Sequence, residues 1–198
     1  LELRETCGLS THVGQTRPLH MVVVRGNLPW LNGHCVDGAK TRVTITSEHT
    51  THGKIVWQLG GQIAELGVDQ KRESLLSFAA DELRAAIPGI DLTNTEWSSY
   101  RIDRAEPVTP DGKRPDHAFY LHEQNIWTAW PTKLALAPQL AEHLLKELIP
   151  ILGIPQSLPD NETLSDWFPP KVARYPWETE ANWIAYADLI RSQQRRAA

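Results

Sequence analysis

Residues 125–148, Asn-Ile-Trp-Thr-Ala-Trp-Pro-Thr-Lys-Leu-Ala-Leu-Ala-Pro-Gln-Leu-Ala-Glu-His-Leu-Leu-Lys-Glu-Leu, constrain the fold more than any other stretch. From Asn125 to Trp130 polar and apolar side chains alternate among strand-forming residues, which predicts a β-strand. From Leu134 onward the apolar positions Leu134, Ala137, Leu140, Ala141, Leu144, Leu145 and Leu148 recur every three or four residues, which predicts one face of a helix. Pro131-Thr132-Lys133 must turn the chain between the two, and Pro138 fits only the first helical turn, where its missing N–H costs nothing. The amides around Thr132 to Ala135 then lack intrahelical acceptors and carry the positive end of the helix dipole, with Lys133 adding to it. Such a turn suits an anion or an electron-rich ring edge.

Upstream, Arg17 to Arg25 ends in a β-branched run that Gly26-Asn27-Leu28-Pro29 breaks. Arg42 to Ser47 and Lys54 to Leu59 alternate around a polar loop and predict a hairpin. Asp69 is placed to cap a helix running to about Ile87, with Leu75, Leu76, Phe78, Ala79, Leu83 and Ala86 as its buried stripe and Pro88-Gly89 as its stop. Glu96 to Arg104 reads as another strand, Pro107 to Gly112 as a turn, and His117 to Trp130 as a second hairpin. Beyond Ile149 come Pro150, Pro155, Pro159, Pro169, Pro170 and Pro176; this tail is expected along the surface, pinned by Trp167, Phe168, Trp177 and Trp183, before a last helix near Glu178 to Gln194. Strands, helix, strands, helix make an α+β domain: an antiparallel or mixed sheet with helices packed on one side.

The 198 residues fit one large domain or one and a half small ones, with an ample core. A net charge of −4 without a basic cluster argues against nucleic acid. Cys7 and Cys35 make no disulfide framework and point to a reducing compartment, the cytoplasm. No apolar run approaches the roughly 20 residues of a membrane span. Leu1-Glu-Leu-Arg-Glu-Thr-Cys-Gly-Leu reads as the middle of a helix and its glycine stop, so the chain is expected to be a fragment of a longer protein.

Three short motifs, in order, resemble the FAD-dependent oxidoreductases of the D-amino-acid oxidase type. Trp130-Pro-Thr-Lys-Leu-Ala-Leu-Ala-Pro138-Gln-Leu-Ala-Glu142 is similar to the family's Gly-x-x-Gly-x-Thr-Leu-Ala-Pro and helix, or to the Gly-Gly-Lys-Leu-Thr of the glycerol-3-phosphate dehydrogenase branch, with Trp130-Pro131-Thr132 standing where glycines would be. The strand ending at Arg25-Gly26-Asn27 resembles Pro-x-Arg-Gly-Gln, the entry to the substrate domain, and Gly60 to Gly67 resembles Gly-Gly-Thr-x-Glu-x-Gly. The resemblance covers about Arg17 to Leu148. No Gly-x-Gly-x-x-Gly follows a strand, so the dinucleotide-binding βαβ unit is absent from these residues.

The resemblance implies the following. Residues 1–16 would be a remnant of a preceding element, 17–130 a substrate-binding domain, 131–150 a flavin-facing helix, and 151–198 the surface tail. FAD would be the cofactor, contacted at its ring by Thr132, Lys133 and Leu134, and carried mainly by a partner FAD-binding domain outside these residues. Lys133 would stabilise negative charge developing on the reduced ring. Residues 98–112 resemble a segment ending Arg-Pro-x-Thr-x-Asp-Gly, whose arginine grips the substrate's carboxylate. Here Glu106 holds the arginine's place and Arg104 lies two residues earlier, on the same face of a strand. Arg104 thus suits an acid and Glu106 an amine cation; Tyr120, with Trp127, would line the pocket. The implied reaction is hydride transfer to flavin from a small amine- or hydroxyl-bearing substrate, with no catalytic residue identified and the fragment alone inactive.

Two other readings compete. A free-standing binding module would hold a sugar or a protein on a Trp-rich surface. A metal-assisted hydrolase would use His49-Thr-Thr-His52, which lacks carboxylate or cysteine partners. Asn32-Gly33-His34-Cys35 sets a thiol beside an imidazole, without the surroundings of a reactive cysteine.

Overall fold

The computed structural model describes residues 1–113, 115–130, 132–154 and 171–197. Six strands form one sheet in the order β2-β3-β4-β1-β5-β8. They are β1 (Gly14–Gly26), β2 (Gly33–Asp37), β3 (Lys40–His49), β4 (Ile55–Gly60), β5 (Thr95–Pro107) and β8 (Ile184–Ala185). The pairs β1–β4, β2–β3, β3–β4 and β5–β8 are antiparallel. β6 (Phe119–Glu123) and β7 (Ile126–Trp130) form a separate antiparallel hairpin, turned at Gln124 with φ 56°. The helices are α1 (Glu2–Thr6), α2 (Gln62–Leu66), α3 (Arg72–Ala86), α4 (Ala137–Leu152), a short one at Pro176–Thr179 and a last one at Tyr186–Ala197. This is the α+β architecture expected.

The residues group into two interleaved compact units, one of Leu1–Arg17 with Arg104–Val172, the other of Pro18–Asp103 with Ala173–Ala198. The boundaries fall inside β1 and β5.

The second unit holds the main core. Val22 and Val24 of β1 join Trp57, Leu59 and Trp97 against Leu75, Leu76, Ala79 and Leu83 of α3, with Leu189 of the last helix. Val23 points the other way and packs with Val56 and Trp177. A strand buried on both faces needs no alternation, which explains the continuous run Val22-Val23-Val24. Gly26, at φ 147°, passes so close to Asn94 that a Cβ would meet its carbonyl oxygen at 2.3 Å. Gly61, at φ 72°, likewise leaves no room before the Thr41 carbonyl as β4 turns into α2.

Four expectations are corrected. Asp69 caps nothing: α3 starts at Arg72 behind Lys71, slightly later than expected, and α2 forms where a turn was expected, while Arg101 donates to the Val68 carbonyl in the loop between them. β2 is an edge strand that the sequence did not reveal, bulged at Cys35/Val36. The last helix is interrupted, since Ile184–Ala185 pairs with Glu96 and Trp97 of β5 while Ser98 and Arg72 hold the Asn182 carbonyl. α4 runs through Pro150 to Leu152, where Gly153 at φ 77° stops it; a proline so near the end sacrifices only one bond. Trp177 is buried as the tail's anchor, with Tyr175 stacked on it. Pro155, Pro159, Trp167, Phe168, Pro169 and Pro170 lie outside the described residues, as does Pro131.

α4 has the predicted period but not the predicted burial. Only Leu140 of its stripe is buried, while Leu145, Ile151 and Leu152 are exposed, as is Leu134 just before it at 88%.

Candidate functional site

In the first unit, Arg104, Ala105, Glu106, Trp130, Thr132, Lys133 and Leu134 line one open pocket of about 370 Å³. Five of the six residues singled out from the sequence therefore meet at one place. Tyr120 does not join them: it lies on β6, its hydroxyl 3.4 Å from Glu147 Oε1, and Trp127 stacks on His122 instead. Strand spacing placed both aromatics in a hairpin, and the hairpin's own pairing turned them elsewhere.

β5 supplies one wall. Glu106 is 4% exposed, and both its oxygens face guanidinium groups: Arg17 donates from Nη1 to Oε2 at 3.1 Å, and Arg104 Nε stands 3.7 Å from Oε1. Positions 104 and 106 share a strand face, as the period of two requires. Arg17 was read only as the start of a strand. Its charge partnership crosses 89 residues of sequence and leaves no local signal.

The strand-to-helix turn supplies the other wall. A short 3₁₀ turn, Leu134–Leu136, precedes α4, and no side chain caps its start at Lys133. Lys133 Nζ lies 3.2 Å from Asp116 Oδ1, with the lysine partly shielded and the aspartate exposed. Thr132 adopts φ 58°, a left-handed conformation uncommon for any residue but glycine, and its hydroxyl donates to the His117 carbonyl. Backbone held in a sparsely populated region is common at ligand clamps. The residues present therefore fit a flavin at the ring edge: an uncapped amide turn, a cation and a left-handed backbone suit the electron-rich atoms there. They do not fit the pyrophosphate or adenine, for which these residues hold no glycine-rich fingerprint.

The second unit has a wider, shallower pocket of about 660 Å³ beside His20, Ser99, Arg72 and Arg101. His20 Nδ1 meets the Gly67 carbonyl at 3.1 Å, which fixes the proton on Nδ1, so Nε2 accepts from the Ser99 hydroxyl at 2.9 Å. Burial lowers the His20 pKa from its ordinary 6.5; the Gly67 bond opposes this, and Arg101 and Arg72 lower it further. The unfolded chain then binds the proton more readily than the native one, so this contribution to stability is complete above the ordinary value and is lost as pH falls below it. The thermal midpoint is expected to drop on acidification from about pH 7.5 to about pH 5.5, and His20→Gln is expected to flatten that profile. An unchanged profile in the variant would show that other groups set it.

His49 stacks on Trp30, and among the described residues no group of three His, Cys, Asp or Glu is placed to hold a metal. Cys35 lines a small apolar cleft with Leu31, Val43 and Ile87, while its neighbour His34 bonds Thr44. No helix among the described residues is long and apolar enough to cross a membrane.

No protein-family model matches the chain. Both other comparisons lead to one class, the FAD-dependent oxidoreductases, to which this chain is similar in sequence and in fold. The particular relative is the probable FAD-dependent oxidoreductase PA4991 of Pseudomonas aeruginosa, 43% identical over 149 residues, which are 74% of this chain and 38% of the relative. The crystal structure of that oxidoreductase matches with a TM-score of 0.74 at 38% identity, over 89% of this chain and 49% of the other. The chain thus spans less than half the length of the protein it matches.

Proposed function

We propose that this chain is the substrate-binding and C-terminal part of an FAD-dependent oxidoreductase of the D-amino-acid oxidase type, acting on a small amine- or hydroxyl-bearing substrate. The observation that carries the reading is the convergence of Arg104 and Glu106 with Thr132, Lys133 and Leu134 on one pocket. A substrate-gripping strand and a ring-edge turn, 26 positions apart from Glu106 to Thr132, have no structural need to share a cleft. When bound, the flavin supplies a hydride acceptor for the substrate's C–H bond, as the adjacent amine or hydroxyl loses its proton and becomes an imine or carbonyl. The chain's residues orient: Arg104 binds the substrate's acid group, Lys133 sets positive charge at the ring edge, and Thr132 holds the turn that presents the amides.

The cofactor's adenine and pyrophosphate would be carried by a dinucleotide-binding domain beyond these residues, and the exposed apolar stripe of α4 is consistent with a further packing partner. The relative's greater length supports both statements. A Trp-rich binding surface is less well supported, because Trp57, Trp97, Trp130 and Trp177 are all buried. The test compares two proteins for visible flavin absorbance: this chain alone, and the longer protein encoded around it. The chain alone is expected colourless, and the longer protein yellow and bleached anaerobically by its substrate. A colourless longer protein, or stoichiometric flavin on this chain alone, would overturn the proposal.

A further inference from the structure

We propose that the pocket beside His20 in the second unit binds a small doubly charged oxyanion, a sulfate or phosphate group, through Lys71, Arg72 and Arg101, and that binding is coupled to protonation of His20. The inference is independent of the Arg104 pocket and of the flavoenzyme reading. The opening measures about 660 Å³, room enough for a small organic phosphate. Among the described residues, three fixed cations line it beside two carboxylates, Asp69 and Glu180. Neutral oxygens orient both guanidinium groups. Arg101 donates from Nη1 to the Val68 carbonyl at 2.9 Å; Arg72 donates from Nη2 to the Ser98 hydroxyl at 3.1 Å and to the Asn182 carbonyl. Such bonds hold a guanidinium without neutralising it, and they use fewer N–H donors than it carries. Glu180 turns one oxygen to the Asn182 amide at 2.8 Å. A tetrahedral dianion presents oxygens in several directions and can meet two forks and an ammonium at once, whereas a carboxylate fills a single fork.

The buried pair in the pocket wall links this site to pH. His20 is 5% and Ser99 7% exposed. With His20 neutral, Ser99 spends its hydroxyl proton on Nε2 at 2.9 Å and shows the pocket only lone pairs, which repel an anion. Nδ1 is already committed to the Gly67 carbonyl at 3.1 Å, so an added proton must go to Nε2. Nε2–H then donates to the Ser99 oxygen, and the hydroxyl proton is released to a ligand. The charged groups around His20 are Arg101 of β5 and Arg72 of α3, which disfavour its protonation, with Lys71, Asp69 and Glu180 on the pocket wall. An anion among these cations offsets their repulsion, so anion and proton each favour the other's binding.

Calorimetric titration of the full chain with inorganic sulfate, phenyl phosphate and benzoate tests this. At about pH 7.5, where both the sulfate and the phosphate are dianions, each is expected to bind about tenfold or more tighter than benzoate. Phenyl phosphate tighter than sulfate would identify the ligand as an organic phosphate; equal or weaker binding would identify a free inorganic oxyanion. Lys71→Met should weaken sulfate by about fivefold to tenfold, whereas Lys54→Met, which removes the same charge from an exposed position outside the pocket, should stay within about twofold. Sulfate itself does not titrate near neutrality. Its affinity should rise by about threefold or more from about pH 8 to about pH 6, and His20→Gln should flatten the rise. Because that variant alters a buried residue and can unfold, proton uptake is also measured on the wild type, from sulfate titrations in two buffers of different ionisation heat; net uptake is expected. The proposal is overturned if the folded chain binds neither dianion, or binds benzoate as tightly. It is also overturned if Lys71→Met binds no more weakly than Lys54→Met, if no proton is taken up, or if folded His20→Gln keeps the wild-type rise.

Discussion

Lys133→Met is expected to slow substrate oxidation by about 10²–10³-fold in the flavin-loaded longer protein, with substrate affinity near wild type. That loss corresponds to about 2.7–4 kcal/mol of barrier, the usual effect of deleting one group aimed at developing charge. The asymmetry between rate and affinity follows from when the charge would matter: Lys133 would face a bound flavin that is neutral as substrate binds and gains negative charge only on reduction. Lys133 stands at the start of the turn before α4, 3.2 Å from the exposed Asp116. Asp116→Asn should accordingly be neutral or mildly accelerating. Single-turnover reduction measured anaerobically, beside equilibrium affinity, separates the two quantities. Equal rates in Lys133→Met and wild type would make Lys133 only the surface partner of Asp116.

Arg104→Lys is expected to weaken acid-bearing substrates by roughly 10–100-fold although the charge is kept, because an ammonium cannot reproduce the two-pronged grip of a guanidinium. Glu106→Gln should be mild or even favourable for the same ligands. It removes an anion from an anion site and keeps an oxygen that Arg17 can still use. If the substrate were instead an amine cation held by Glu106, the pattern would invert, with Glu106→Gln harmful and Arg104→Lys nearly silent. The geometry favours the first pattern, since each Glu106 oxygen already faces a guanidinium. Affinities at low and high salt decide between the two. Two silent variants would remove this strand from the substrate site.

Much of this molecule was legible as local pattern. The β3–β4 hairpin, the stripe of α3 and the strand-turn-helix around Thr132 all rest on interactions within a few residues, where a period of 2 or 3.6 is written directly in the order of side chains. The α+β class follows from those elements, and it matches the fold of the oxidoreductase relative. The candidate residues Arg104, Glu106, Thr132, Lys133 and Leu134 were likewise visible, because each sits in a short motif whose residue types suit a task.

What no local pattern carries is pairing at a distance. The capture of Ile184–Ala185 by β5 and the edge strand β2 both depend on pairing with another strand, whose hydrogen bonds override local propensity. The same holds for the site. The meeting of Glu106 with Arg17, and of Glu106 with the turn at Thr132, has no counterpart in composition or spacing, since charge compensation depends on distance in space and not in sequence. The periodicity of α4 predicted a buried stripe, yet only Leu140 is covered. An amphipathic pattern states that a face is apolar; whether something packs on it is settled by the surfaces that come within reach.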